Sequence, residues 1–392
     1  VCEVCKRGDN EELMLLCDKC DLGFHNYCLD PPMHTIPDGE FFCSSCKQLD
    51  QPETTTENAE ESKEYGFEEG DEYDLQHYRV MSSIFDNSWG AQNLSVDELE
   101  KIYWHVIDRR SMPVNVHYGS DVDPLSRPGM IDCSPMEPFR EWNIKTWPSA
   151  EGSILSYLSD TIPGMSLPWV YVGMTFSSFC WHTEDHYAYS ASYLHEGAPK
   201  VWYGVSGYDG HQFEEVMRSL MPSLFEVQPL LLFHLVTQLN PHVLMDHGVP
   251  VVRAIHTPGS YMVTFPKAYH AGFNSGFNLA EACNFALPNW IPWGRSAISV
   301  YEHYGRNQVF SHDLLLHKAA LDYQRWDLDA LRYIVDDYYF VFQRECQERA
   351  AIRQSSYLAS VFLSEVPRHR EKQGTESREM ARIRSRGTKK LA

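Results

Sequence analysis

A chain of 392 residues suffices for two or three domains, one of them with a sizeable core. Its 43 % hydrophobic content includes no apolar run near 18 residues, which excludes a spanning helix, and nothing at the start reads as a targeting peptide, so no membrane partner is expected. A formal charge of -21 opposes broad contact with a phosphate backbone and favours a basic partner.

The first element is a run of metal ligands. Seven cysteines and one histidine fall in four pairs, Cys2/Cys5, Cys17/Cys20, His25/Cys28 and Cys43/Cys46, each pair separated by two residues. Tetrahedral zinc takes two such pairs, so eight ligands make two closed, structural sites. About fifty residues bury too little apolar surface to fold alone, whereas structural zinc contributes roughly 10 to 16 kcal/mol, so metal loss should unfold this segment. Disulfides would not call for His25, and only four cysteines remain elsewhere, which points to a reduced compartment, cytosol or nucleus. Four cysteines, then His25, then three cysteines, with Leu13 to Leu16 before the second pair and Phe41-Phe42-Cys43 near the end, resemble a PHD finger. The resemblance implies interleaved sites: Cys2, Cys5, His25 and Cys28 around one zinc, Cys17, Cys20, Cys43 and Cys46 around the other. It also implies a reader of the histone H3 tail. The finger has no Trp, and Asp9, Glu11, Glu12, Asp18 and Asp21 give it an acidic face that suits an unmethylated lysine. Phe24, Tyr27, Phe41 and Phe42 are read as packing residues rather than a methyl-ammonium cage.

After the finger (1–49), Asp50 to Asp74 holds eleven acidic residues against the single Lys63, a solvated linker. Residues 75–135 read as a helical segment: Ser95-Val-Asp-Glu98 is a capping box, followed by Ile102, Val106 and Ile107 at helical spacing. Over the next stretch, 136–304, short aromatic and β-branched runs alternate with Gly, Pro and Asn: Trp169-Val-Tyr-Val172, Lys200-Val-Trp-Tyr203, Val249-Pro-Val-Val252 and Tyr261-Met-Val-Thr-Phe265. Such spacing predicts a mostly β barrel or sandwich with flanking helices. A helical segment follows (305–366). The end, 367–392, is a basic disordered tail, with nine Lys or Arg against three Glu from Arg368 to Lys390, a candidate DNA or nuclear-import contact.

The chemistry concentrates in Phe179-Cys-Trp-His182-Thr-Glu184, at the end of a predicted strand, where the two-residue period turns His182 and Glu184 to one face. With His270, from Phe265-Pro-Lys-Ala-Tyr-His270, they form two histidines and a carboxylate able to occupy one face of an octahedral ion and leave the rest open.

Pro168-Trp-Val-Tyr-Val-Gly-Met174, Phe176 to His182, Tyr193-Leu-His195, Pro199-Lys200-Val-Trp-Tyr203 and Phe265 to Asn274 resemble the Jumonji-C oxygenases. With a PHD finger ahead of them, joined through Tyr65-Gly-Phe67, the likeness narrows to the histone lysine demethylase 5 branch and covers roughly residues 1 to 315. It implies a double-stranded β-helix, jelly-roll or cupin-like, that binds Fe(II) and 2-oxoglutarate and demethylates lysine 4 of histone H3 in the nucleus, within nucleosomes and a corepressor complex. By position, His182, Glu184 and His270 would hold iron. Lys200 would pair with the far carboxylate of 2-oxoglutarate, assisted by Tyr118 and Ser190, while Phe179 packs on the cosubstrate and Asn274 bonds near the metal. Tyr171 and Trp202 are the candidates for the methyl-lysine channel. Ser192 departs from the pattern, standing where the family has a cosubstrate-contacting asparagine, and the family's Jumonji-N, ARID and second zinc-finger segments do not occur in these residues.

Overall fold

A computed structural model describes residues 2, 4–5, 7–10, 13–17, 22–29, 41, 70–109, 114–122, 142–233 and 237–354. Cys20, Cys43, Cys46, Phe42, most of the acidic linker and the basic tail lie outside the described residues. The chain divides into two compact units, Val1–Glu72 and Tyr73–Ala392.

In the first unit, β1 (Met14–Leu16) and β2 (Gly23–His25) form an antiparallel hairpin in which Met14 faces His25 and Leu16 faces Gly23. Its small core is Leu15, Cys17, Phe24 and Phe41, with Phe24 and Phe41 packed edge to face at 6.2 Å. Tyr27 is half out in solvent and stacks on His25 at 4.8 Å, so two of the expected packing aromatics are core and one is a lid on a ligand.

The second unit opens with α1 (Leu75–Trp89). The Asp74 carboxylate caps it by accepting the His77 N–H, and it stops at Gly90, whose left-handed φ of 64° suits a residue without a side chain. The capping box closes reciprocally ahead of α2 (Val96–Arg109): the Ser95 N–H donates to Glu98 at 2.8 Å and the Glu98 N–H to the Ser95 hydroxyl at 3.3 Å. The buried face of α2 is Leu99, Tyr103 and Trp104, one residue round from the Ile102, Val106 and Ile107 stripe. The large aromatics take the core because the Trp104 indole N–H finds a partner there, the Tyr203 hydroxyl at 2.8 Å. The segment 75–135 is not helical throughout: β3 (Gly119–Val122) joins a sheet, its Gly119 close against Val172.

The barrel consists of two antiparallel sheets. One has four strands in the order β5 (Ser178–His182), β10 (Tyr269–Asn274), β7 (Lys200–Val205), β8 (Val252–His256). The other has five, β3, β4 (Trp169–Gly173), β11 (Asn278–Phe285), β6 (Tyr189–Gly197), β9 (Tyr261–Thr264). Both faces are well covered, so the central strands β10 and β11 are buried along most of their length. The run Val249-Pro-Val is not strand; β8 begins only at Val252, since Pro250 has no N–H to give a ladder. Helices α3 (Gly210–Leu220), α4 (Pro222–Val227) and α5 (Pro241–Asp246) fill the β7–β8 connection. Past the barrel, α6 (Ile291–Tyr304), α7 (His312–Leu321) and α8 (Leu328–Gln354) build a second core of Trp290, Ile291, Phe310, Leu315, Leu316, Trp326 and Ile334 against Ile154, Leu155 and Tyr189. Within the helical segment expected over 305–366, a short turn at Tyr323–Arg325 separates α7 from α8.

Candidate active site

His182 ends β5 and His270 lies on β10, and the two are direct cross-strand partners with ring centroids 4.1 Å apart. Glu184 lies two residues beyond the strand, still extended (φ -66°, ψ 153°), just before a tight turn. The ligand atoms of His182, Glu184 and His270 all lie within 4.8 Å of one another. One ion bonded at about 2.0 to 2.2 Å needs neighbouring ligand atoms roughly 3 Å apart, and His270 Nε2 stands 3.3 Å from Glu184 Oε1. Each imidazole is oriented from behind: His182 Nδ1 donates to the Cys180 carbonyl at 2.7 Å and His270 Nδ1 to the Ala268 carbonyl at 3.0 Å. With Nδ1 bonded behind it, each imidazole presents Nε2 to the site, the atom a metal would take. Burial and the neighbouring His270 push His182 down to about 4, so its ring is neutral at pH 7. Burial alone would raise the Glu184 carboxyl, but the His270 hydrogen bond and charge outweigh it and hold it at about 2. The Asn284 amide donates to the other Glu184 oxygen at 2.9 Å.

Farther along the same face of β7 and β10, Lys200 pairs across the strands with Asn274. Lys200 is 2 % exposed, and its Nζ donates to Asn274 Oδ1 at 2.7 Å and lies 5.5 Å from the Tyr118 ring centre. Burial brings its pKa down to about 7. The Asn274 amide nitrogen donates in turn to the Ser177 carbonyl and hydroxyl, both at 2.9 Å, and Asn278 donates to Asn274 Oδ1 at 2.9 Å, which fixes the amide orientation. Between the metal end and Lys200 stand Phe179 and Trp202. Their rings are 4.6 Å apart, Trp202 stacks on His270 at 5.8 Å, and its indole N–H is buried with no partner among the described residues. Gly272 leaves room for this wall, since a Cβ there would meet Phe179 at 2.4 Å.

On the opposite sheet, Tyr171 donates its hydroxyl to Asp121 at 2.9 Å and lies 6.2 Å from Tyr118. Ser190 shares its hydroxyl with Thr264 at 2.6 Å and pairs with Asn284 across β6 and β11, so it belongs to the Glu184 side of the site. Ser192, 6 % exposed, faces Ala282 and Met262 in register. Sequence reasoning missed Asn284, Asn278 and Asp121. Asn284 becomes a neighbour of Glu184 only through strand register, whereas Asn278, four residues past Asn274, and Asp121, three past Tyr118, carried local signals.

In the finger, Cys2, Cys5, His25 and Cys28 form a second group of converging ligands. His25 Nδ1 stands 3.4 Å from Cys5 Sγ and 3.9 Å from Cys28 Sγ, while its Nε2 donates to the Asp9 carbonyl at 2.5 Å. Burial resists ionisation of Cys2, yet backbone N–H groups of Cys5, His25 and Val4 bring it down to about 6, toward the thiolate that zinc binds. Cys17 is buried; the other three residues expected around the second zinc lie outside the described residues.

Residues 169–285 match the family described as JmjC domain, hydroxylase; residues 2–46 match the PHD-finger; residues 289–343 match the C-terminal helical domain of lysine-specific demethylase 5. Lysine-specific demethylase 5B of Gallus gallus is 41 % identical over 336 residues, 82 % of this chain and 22 % of that protein. Lysine-specific demethylase 5D of Homo sapiens is 39 % identical over 367 residues, 90 % of this chain and 23 % of that protein. The chain thus spans less than a quarter of the length of these relatives. The chain carries a PHD-finger, a JmjC domain and the C-terminal helical domain of lysine-specific demethylase 5 one after another, on a jelly-roll that converges two histidines and a carboxylate, and over most of its length it is similar to the lysine-specific demethylases 5.

Proposed function

We propose that this chain acts in the nucleus as an Fe(II)- and 2-oxoglutarate-dependent demethylase of lysine 4 of histone H3, with a zinc-bound finger that reads the H3 tail. The observation that carries this reading is the ligand set of His182, Glu184 and His270, within 4.8 Å of one another, with the buried Lys200 ammonium on β7 paired against the far end of β10, the strand that carries His270. Bound together, iron and 2-oxoglutarate supply the oxidising chemistry that releases an N-methyl group as formaldehyde.

The protein's part is to bind, orient and exclude water. His182, Glu184 and His270 would hold the iron. Lys200, steadied by Asn274 and flanked by Tyr118, receives the far carboxylate of 2-oxoglutarate; a buried carboxylate needs such a cation to offset its desolvation. Phe179 and Trp202 wall the space between, so we assign Trp202 to the cosubstrate pocket and not to the methyl-lysine channel. Tyr171, bonded to the exposed Asp121, remains the channel residue, and that carboxylate favours the cationic side chains of a histone tail. Ser192 stands where the family has a cosubstrate-contacting asparagine, so either a water spans the shorter reach or 2-oxoglutarate binds more weakly. Nucleosomal DNA contact through the basic tail and membership of a corepressor complex complete the proposal.

The test incubates the protein with Fe(II), 2-oxoglutarate, ascorbate and H3 tail peptides methylated at lysine 4, 9, 27 or 36, and follows peptide mass. Loss of a methylene's mass at lysine 4 alone is expected, and His182→Ala or His270→Ala should abolish it while peptide binding by the finger persists. Gain of an oxygen's mass without formaldehyde would replace this reading with a protein hydroxylase, and no turnover by metal-loaded protein would replace it with a reader or scaffold.

A further inference from the structure

The turn that carries Glu184 is held in an unfavourable shape. His186 and Tyr187, neither of them glycine, sit in the left-handed region at φ 53° and 52°, a conformation that persists only where surrounding contacts over-determine it. Those contacts come from the C-terminal helical unit. The His186 N–H donates to the Tyr301 hydroxyl at 2.8 Å, and the Trp290 indole donates to the His186 carbonyl at 2.9 Å. The His186 ring stacks on Phe310 at 3.9 Å, and its Nε2 accepts the N–H groups of Val309 and Phe310 at 3.2 and 3.4 Å. One residue earlier, Arg306 pairs with Asp185 at 3.0 Å. Tyr187 is buried against Ala297, Ile298 and Tyr301, and the Lys267 ammonium lies 5.4 Å from its ring centre, in the turn that leads into His270.

We infer that Tyr301 and Arg306 are positioning residues for the metal carboxylate: through His186 and Asp185 the C-terminal helices set where Glu184 points. The inference rests on the reading of His182, Glu184 and His270 as metal ligands. Neither residue touches the metal or the substrate. Releasing the left-handed turn lets the backbone at 185–187 relax, and a small rotation there swings the Glu184 oxygen away from His270.

The test is anaerobic titration of the whole chain with Co(II) in excess 2-oxoglutarate, followed through the metal's visible absorption. Removing a partner of a buried N–H costs enough to weaken Co(II) binding about tenfold in Tyr301→Phe. Arg306→Gln should weaken it severalfold, and Arg306→Lys, which keeps the charge, should recover most of that loss. Melting of the metal-free protein supplies the control. Variants that melt lower yet bind Co(II) with the wild-type constant and spectrum would show that these contacts only support the fold, and would overturn the inference. If Tyr301→Phe fails to fold, the Arg306 pair decides alone. Wild-type protein that takes up no Co(II) would overturn the metal reading itself, whereas equal binding by wild type and variants would overturn only the positioning role.

Discussion

Raising the pH should weaken 2-oxoglutarate binding through Lys200. Burial brings this ammonium from its ordinary 10.5 down to about 7, so keeping it charged costs roughly 5 kcal/mol, at about 1.4 kcal/mol for each tenfold change in proton affinity. Its partner in the absence of cosubstrate is a neutral amide, Asn274. The far carboxylate of 2-oxoglutarate supplies an opposite charge and draws the pKa upward, so binding above pH 7 is coupled to uptake of one proton. Below about pH 7 the affinity should be flat; above it, the dissociation constant should rise roughly tenfold per pH unit until the bound-state pKa is reached. Titration calorimetry of Co(II)-loaded protein in two buffers of different ionisation heat, across about pH 6 to 9, counts the proton directly. Lys200→Met should bind weakly and without the slope. The same depressed value acts on folding with its own sign. Between 7 and 10.5 the unfolded chain carries a proton that the folded one lacks, so cosubstrate-free stability from this group rises with pH across that window. A dissociation constant that stays level to about pH 9, with no proton taken up, would refute the argument.

Gly272→Ala should damage pocket and fold together. The new Cβ would stand 2.2 Å from the Val201 carbonyl and 2.4 Å from Phe179, and because a strand carbonyl cannot move aside, about 1 to 3 kcal/mol of overpacking is expected. A lower melting temperature with weaker 2-oxoglutarate binding checks it; unchanged values would mean that the β10–β7 contact is looser than drawn. Zinc removal by a chelator should expose Cys2, Cys5 and Cys28 to thiol reagents and abolish H3 peptide binding, both reversed by added zinc, since the described core of the finger is only Leu15, Cys17, Phe24 and Phe41.

The three candidate metal ligands are legible because two kinds of signal overlap. Positions 182 and 184 share a face by strand period, and the run up to His270 matched an ordered family motif. The finger was legible from spacing alone. For Trp202 the strand period carries a signal beside the family motif: Lys200 and Trp202 are two residues apart on β7, so if one faces the cosubstrate the other does too, which is why we propose it for the cosubstrate pocket. Asn284 could not be read at all. It touches Glu184 across 100 residues of sequence, through a register that depends on every strand between them. Helix boundaries behaved similarly, with α1 and α2 marked by Asp74 and Ser95 while β3 carried no alternating run to announce it.

The three candidate metal ligands are not held alike, and the difference has a physical consequence. His182 and His270 face each other across a β-ladder, each ring fixed by a backbone carbonyl two residues back, so moving either means breaking sheet hydrogen bonds. Glu184 has left the sheet. It is held by Asn284 from one side and, beyond it, by a turn whose shape depends on α6 and the segment that follows. Disturbance of the C-terminal helices should therefore reach the site through the carboxylate first, loosening the metal while the histidines stay in register. Of the three, the carboxylate is the ligand through which changes elsewhere in the helical unit can tune metal affinity.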